Sequence, residues 1–220
     1  MAVRTKAGVM YPSPCMQHRT DVERVWSHAP SYQFNEGCVC VHENVTIFRG
    51  EEKNGYPFLS KPRRVTVISG AALKNPHLQE GKLPRRYANA IQKANMKTEV
   101  AMILIAAAHH NCTHLVLSAF GCGGQQNPPE EVAKMFHKEL LYDSTLQTSI
   151  ARVTFCIQDD HNAKKAHNPV GNMKAFEDEF RRTWSSWAQV TLLYMSGTWK
   201  KVTEKTGALP QVKHMGKWVS

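Results

Sequence analysis

At 220 residues, with 42% hydrophobic and 21% charged side chains, the chain can bury one full core and needs no disulfide or metal staple. Its longest apolar run, residues 100–108, is far too short to span a bilayer, and its first ten residues lack the apolar centre of a secretory signal. The formal charge of +10 favours polyanionic partners, nucleic acid among them, although the cations come as scattered pairs that also suit a solvated surface.

In chain order, residues 1–37 read as a divergent, irregular N-terminal segment with one short helix near residues 21–27. Residues 38–48 are strand-like, residues 50–62 form a polar connection with turn residues, and residues 64–69 make a second strand. A loop over residues 70–84 leads into a long helix over about residues 85–109, where Ile91, Val100, Leu104 and Ala107 recur on related faces. A strand over residues 114–119, a glycine-rich loop and a helix over residues 128–141 come next. Residues 152–158 are a further strand and residues 159–171 a polar loop. A helix over about residues 172–187 follows, with Phe176, Phe180, Trp184 and Trp187 at helical spacing as core aromatics. Residues 189–220 are a C-terminal extension with added strands near residues 190–195 and 198–205. Its lysines, Trp199 and Trp218 suit contact with nucleic acid, or simple packing on the domain or on a second copy. Strands alternating with helices predict an α/β fold, a three-layer αβα sandwich with a mixed central sheet, over the core at residues 38–188.

The most informative stretch runs from Leu115-Val116-Leu117 through Ser118-Ala119-Phe120-Gly121-Cys122-Gly123-Gly124-Gln125-Gln126 to Asn127-Pro128-Pro129-Glu130. It reads as a buried strand, a glycine-rich turn and a helix start, with Asn127 as N-cap, Pro128 at the first helical position and Glu130 as the acid of a capping box. Loop N–H groups ahead of a helix N-terminus make a natural phosphate site, and gripping a phosphate or diphosphate is the expected task. A ligand-free strand-to-helix turn is the plain alternative. No Gly-Lys-Ser/Thr follows, so this is not a Walker loop, and the glycine spacing does not match the dinucleotide fingerprint.

Leu117-Ser118-Ala119-Phe120-Gly121-Cys122-Gly123, then Asn127-Pro128-Pro129 and Val132-Ala133-Lys134-Met135-Phe136, resemble the second ligand loop of the macrodomain superfamily. The likeness is to its microbial-type poly(ADP-ribose) glycohydrolase-like branch. Val45-Thr46-Ile47-Phe48-Arg49, Arg64-Val65-Thr66-Val67-Ile68-Ser69 and Val153-Thr154-Phe155-Cys156-Ile157-Gln158-Asp159 are similar to strands of that branch, and the resemblance covers about residues 38–182. It implies a macrodomain-like αβα sandwich that binds ADP-ribose, free or carried on proteins or polymers. Ser118, Ala119, Phe120, Gly121, Cys122, Gly123, Gly124, Gln125, Gln126 and Asn127 would wrap the diphosphate and distal ribose, with Phe155 bordering the adenosine. The branch's hydrolases also carry a triple glycine followed by Gln-Glu-Glu, and neither run occurs here; Gln79-Glu80-Gly81 comes nearest. A binder with weak or no glycohydrolase activity is therefore expected. The alternatives are an active glycohydrolase using a non-standard acid, for which Glu80 and Asp159 are the candidates, or a basic nucleic-acid-binding protein on the same fold.

No cofactor and no metal is expected. Cys38, Cys40 and His42 alternate along a strand, and with Cys15 or His18 they have ligand types that suit zinc. Half-buried strand cysteines are the plainer reading, because no Cys-x-x-Cys pair supports a metal. Cys122 at the loop apex is a weak candidate nucleophile. Six cysteines without a secretory signal read as reduced thiols of a soluble intracellular protein, cytoplasmic or nuclear.

Overall fold

The computed structural model describes residues 2–4, 37–50, 54–81, 83–159, 164–182, 189–196, 198–203 and 211–214. The strands are β1 (Ala2–Arg4), β2 (Val39–Arg49), β3 (Phe58–Gly70), β4 (His114–Leu117), β5 (Arg152–Ile157), β6 (Gln189–Ser196), β7 (Thr198–Thr203) and β8 (Gln211–His214). The helices among these residues are α1 (Ala90–His109), α2 (Pro129–Tyr142), α3 (Ser144–Ser149) and α4 (Asn172–Arg182). All eight strands join one mixed sheet in the order β2-β3-β1-β4-β5-β6-β7-β8. From β3 to β6 neighbouring strands are parallel, and antiparallel strands extend both sides.

The crossovers β3–α1–β4, β4–α2–β5 and β5–α4–β6 all step the same way across the sheet. Right-handed connections of that kind put their helices on one face. Burial agrees: Leu115 and Leu117 of β4, and Val153, Phe155 and Ile157 of β5, alternate with less buried neighbours. On that face Met96, Val100, Ile103, Leu104 and Ala107 of α1 and Val132, Met135, Phe136 and Leu140 of α2 complete the core. Phe136, Phe155, Phe176 and Phe180 form an aromatic cluster with ring centroids 5.1 to 6.3 Å apart, within the range of favourable edge and offset contacts. The result is a mixed α/β fold whose helices pack against the sheet, as in a macrodomain-like αβα sandwich.

Several boundaries move. The N-terminus contributes β1, which sits between β3 and β4 at the middle of the sheet, so residues 1–37 are not wholly irregular. Three residues are too few to carry a readable alternation. Strand β3 begins at Phe58, inside what reads as a polar connection. Helix α1 starts at Ala90, where Asn89 accepts hydrogen bonds from the N–H groups of Ile91 (2.8 Å) and Gln92 (3.2 Å). The extension supplies β6, β7 and β8, all continuing the same sheet. The short helix expected near residues 21–27, together with Trp184, Trp187, Trp218, Cys15 and His18, lies outside the described residues. Among the described residues no helix is long and apolar enough to cross a membrane.

Candidate ligand site at the glycine loop

Chain direction across the sheet reverses beside β4. From β1 the chain moves to β2 and β3 on one side, and from β4 onward it moves to the other. In open α/β sheets such a switch point, at the C-terminal ends of the strands, is where ligands bind. Three loops meet there: residues 71–81 and 83–89 after β3, residues 118–128 after β4, and residues 158–159 and 164–171 after β5.

Asn127 ties the first two loops together. It is fully buried, and its Nδ2 donates to the carbonyls of Leu73 (2.7 Å) and Gly121 (3.1 Å). Its Oδ1 accepts from the buried Tyr87 hydroxyl (2.9 Å). Burial first, and the Cys122 and Glu131 charges after it, push the Tyr87 phenol above its usual range, so it stays a neutral donor. Gln125 adds two links: its carbonyl accepts from Asn75 N–H (2.8 Å), and its Nε2 donates to the Ala72 carbonyl (3.4 Å). The third loop joins through His167, whose Nε2 donates to the Cys122 carbonyl (3.2 Å), and through Ala166, whose carbonyl accepts from Arg85 Nε (2.7 Å).

Within this frame the glycine loop divides into a buried half and an open rim. Phe120, Gly121, Cys122, Gln125 and Asn127 are buried. Gly121 has φ +70°, and a Cβ there would lie 2.5 Å from Ala72 Cβ and 2.7 Å from Asn127 Nδ2, so glycine is required for packing as well as backbone shape. Ser118, Ala119 and Gly123 are half-buried, and Gly124 and Gln126 are exposed. A Cβ on Gly124 would meet nothing within 4 Å. Among the described residues, no protein acceptor takes the backbone N–H groups of Gly123, Gly124 or Gln125. Such uncommitted donors beside open space can chelate an anion.

The N-terminus of helix α2 offers fewer groups suited to an anion than its sequence suggests. Pro128, not Asn127, is its N-cap and makes no side-chain cap bond, because the Asn127 amide is already spent on Leu73, Gly121 and Tyr87. Pro129 has no N–H to offer, and Glu130 and Glu131 fill the first turn. Glu131 is buried against Lys93 Nζ at 2.6 Å. One carboxyl oxygen of Glu130, Oε2, is buried without a hydrogen-bond partner. Burial pushes the Glu130 carboxyl up, and the Glu131 charge adds to this against the pull of its own N–H and Lys134.

An acid whose folded pKa is raised ionises more readily in the unfolded chain, so rising pH through the ordinary carboxyl range favours unfolding. Glu130→Gln is therefore expected to raise the urea midpoint near pH 7, with the gain shrinking as pH falls toward about 4. An unchanged midpoint at both pH values would show that the carboxyl is adequately solvated.

The other candidates fall differently. Asp159 caps helix α4: its Oδ1 accepts from the N–H groups of Asn172 (2.6 Å) and Met173 (3.2 Å). Gly171, at φ +93°, would place a Cβ 3.0 Å from Asp159 Oδ2, so the chain turns tightly around that carboxylate. These bonds are those of a helix cap. Glu80 is exposed in a loop braced by the Gln79 N–H to Arg86 carbonyl bond (2.9 Å). Phe155 is fully buried in the aromatic cluster. Cys122 is fully buried as well, and burial with the Glu130 charge pushes its thiol well up, which is unfavourable for a thiolate nucleophile. Cys40 Sγ lies 3.2 Å from His42 Nε2, but among the described residues no three His, Cys, Asp or Glu side chains gather as a metal site would require.

The Tyr87, Leu73 and His167 contacts were not anticipated. The last two involve main-chain carbonyls, which leave no mark in a sequence.

No protein-family profile matches the chain, and no curated protein matches it. Solved structures do. Poly(ADP-ribose) glycohydrolase from Deinococcus radiodurans, in complex with ADP-ribose, is 24% identical over 74% of this chain and 60% of that one, with a TM-score of 0.50. A mutant of the Thermomonospora curvata enzyme is 23% identical over 74% of this chain and 55% of that one, also at 0.50. A mutant of the Deinococcus radiodurans enzyme with ADP-ribose is 26% identical over 71% and 56%, at 0.49. The chain thus spans 55 to 60% of the length of the first two structures. With its mixed sheet and packed helices, this chain has the macrodomain-like fold of the poly(ADP-ribose) glycohydrolases, at low sequence identity.

Proposed function

We propose that the chain binds ADP-ribose, free or attached to a macromolecule, with the diphosphate held by backbone N–H groups of the glycine loop. The observation that carries this reading is the set of uncommitted N–H groups at Gly123, Gly124 and Gln125 at the sheet's switch point, with open space beside Gly124. Exposed Lys74, Lys164 and Lys165 lie on the two neighbouring loops and add positive potential for a diphosphate. The ligand itself is suggested by the solved glycohydrolases that share the fold and hold ADP-ribose.

Weak or no glycohydrolase activity accompanies binding in this proposal. Glycosidic hydrolysis calls for a carboxyl group placed as acid or base. Here Asp159 is committed to a helix cap, and Glu80 stands exposed on the loop after β3. Calorimetric titration with ADP-ribose tests binding: a saturable one-site isotherm is expected, and no heat at millimolar ligand would refute it. Rapid release of ADP-ribose from a modified protein, abolished by Glu80→Ala, would establish the alternative of an active hydrolase. The net charge of +10 supports nucleic acid as a further partner.

A further inference from the structure

Strand β3 is far longer than the sheet it belongs to. Ala2 of β1 is level with Val67 of β3 and with Val116 of β4, so His114, where β4 begins, is level with Val65. Residues 58–64 therefore overhang β4 by roughly 20 Å, at about 3.3 Å per residue. Among the described residues they are paired only with β2. Because β3 and β4 are parallel, this two-stranded arm leaves the sheet at the pole opposite the glycine loop.

An arm that covers no core among the described residues should be short or wholly polar, and this one is neither. Phe58 is 71% exposed. Its ring stacks with Phe48 at 6.1 Å, and the Arg49 guanidinium lies 4.1 Å from its centroid. Arg49 is fixed there by donating from Nη1 to the Tyr56 carbonyl (3.1 Å). Further along the same strand Lys61, Arg63 and Arg64 are all exposed. The described residues of the arm, 45–50 and 54–65, contain no acid; over residues 45–65 as a whole there are five cations and two acids, Glu51 and Glu52. Lysine and proline on an open strand do guard against edge-to-edge pairing, which accounts for Lys61 and Pro62. That need does not account for an aromatic ring held out in solvent beside a stacked arginine.

We propose that the β2–β3 arm is a binding surface for single-stranded nucleic acid, with Phe58 as a base-stacking platform and Lys61, Arg63 and Arg64 as phosphate contacts around the exposed strand. An exposed ring next to clustered cations is what an unpaired strand needs, since each base offers a face to stack and each phosphate a charge. A duplex keeps its bases stacked and would use the cations alone. The surface is separate from the glycine loop and does not depend on ADP-ribose binding.

Fluorescence anisotropy with a labelled oligothymidylate, a duplex of equal length and poly(ADP-ribose) tests the assignment on the full chain. The wild type should bind the oligothymidylate more tightly than either competitor. Lys61→Ala, Arg63→Ala and Arg64→Ala combined should weaken that binding at least tenfold and flatten its salt dependence by about two units of log–log slope. Phe58→Ala should weaken it by about tenfold with the slope unchanged. All four side chains are exposed, so circular dichroism should show intact folding. Unchanged affinity in the triple variant, tighter binding of the duplex or the polymer, or no binding at low salt would each overturn the proposal.

Discussion

Gly124→Val is expected to abolish ADP-ribose binding while leaving the fold and its stability intact. The two effects separate because of where Gly124 sits. Its backbone does not adopt the left-handed conformation, and a Cβ there would touch no protein atom within 4 Å, so valine costs the apo protein little. The space it would fill is the open space beside Gly124, where the proposed diphosphate would meet the N–H groups of Gly123, Gly124 and Gln125. Blocking two or three hydrogen bonds to a charged diphosphate, at about 1.5 to 3 kcal/mol each, lowers affinity by roughly a hundredfold or more. The comparison that isolates the effect is Gly121→Ala, whose Cβ would lie 2.5 Å from Ala72 Cβ. That variant should be destabilised whether or not ligand is present. Calorimetry for binding and urea unfolding for stability distinguish the two. Normal affinity in Gly124→Val would remove the loop from the ligand site.

What the sequence shows of this architecture depends on how local the cause is. The β4–loop–α2 unit is legible because every determinant is contiguous: Leu115 to Leu117 make a covered strand, the glycines a turn, and Pro128-Pro129 a helix start. The aromatic spacing of Phe176 and Phe180 likewise identifies a core face of α4. Four features are not legible. Strand β1 has three residues, and its central place is set by partners more than sixty positions away. The N-cap assignment fails at Asn127 because a tertiary demand, Tyr87 and two distant carbonyls, outcompetes the local one. Asp159 looks like a loop acid near a ligand, whereas its role as a cap depends on Asn172 and Met173 folding back onto it. The arm is hidden for a different reason: residues 58–64 alternate without an apolar face, since among the described residues neither side covers a core.

Asn127→Ala is expected to cost about 3 to 5 kcal/mol of stability, because it breaks a buried polar network rather than a single bond. Truncation leaves the Tyr87 hydroxyl and the Leu73 and Gly121 carbonyls without the amide that joins them. Water has no ready access to replace it, since Asn127 is fully buried and Tyr87 nearly so. Tyr87→Phe removes only the donor to Oδ1 and should cost less, about 1 to 2 kcal/mol. The double variant separates a network from a packing effect. Once the amide is gone, the Tyr87 hydroxyl is a buried donor with nothing to donate to. Deleting it in the Asn127→Ala background should then be neutral or recover part of the loss. Urea unfolding of the wild type, both single variants and the double variant measures the coupling. Additive losses would mean that Tyr87 and Asn127 act independently, and that the loops after β3 and β4 are joined by shape alone.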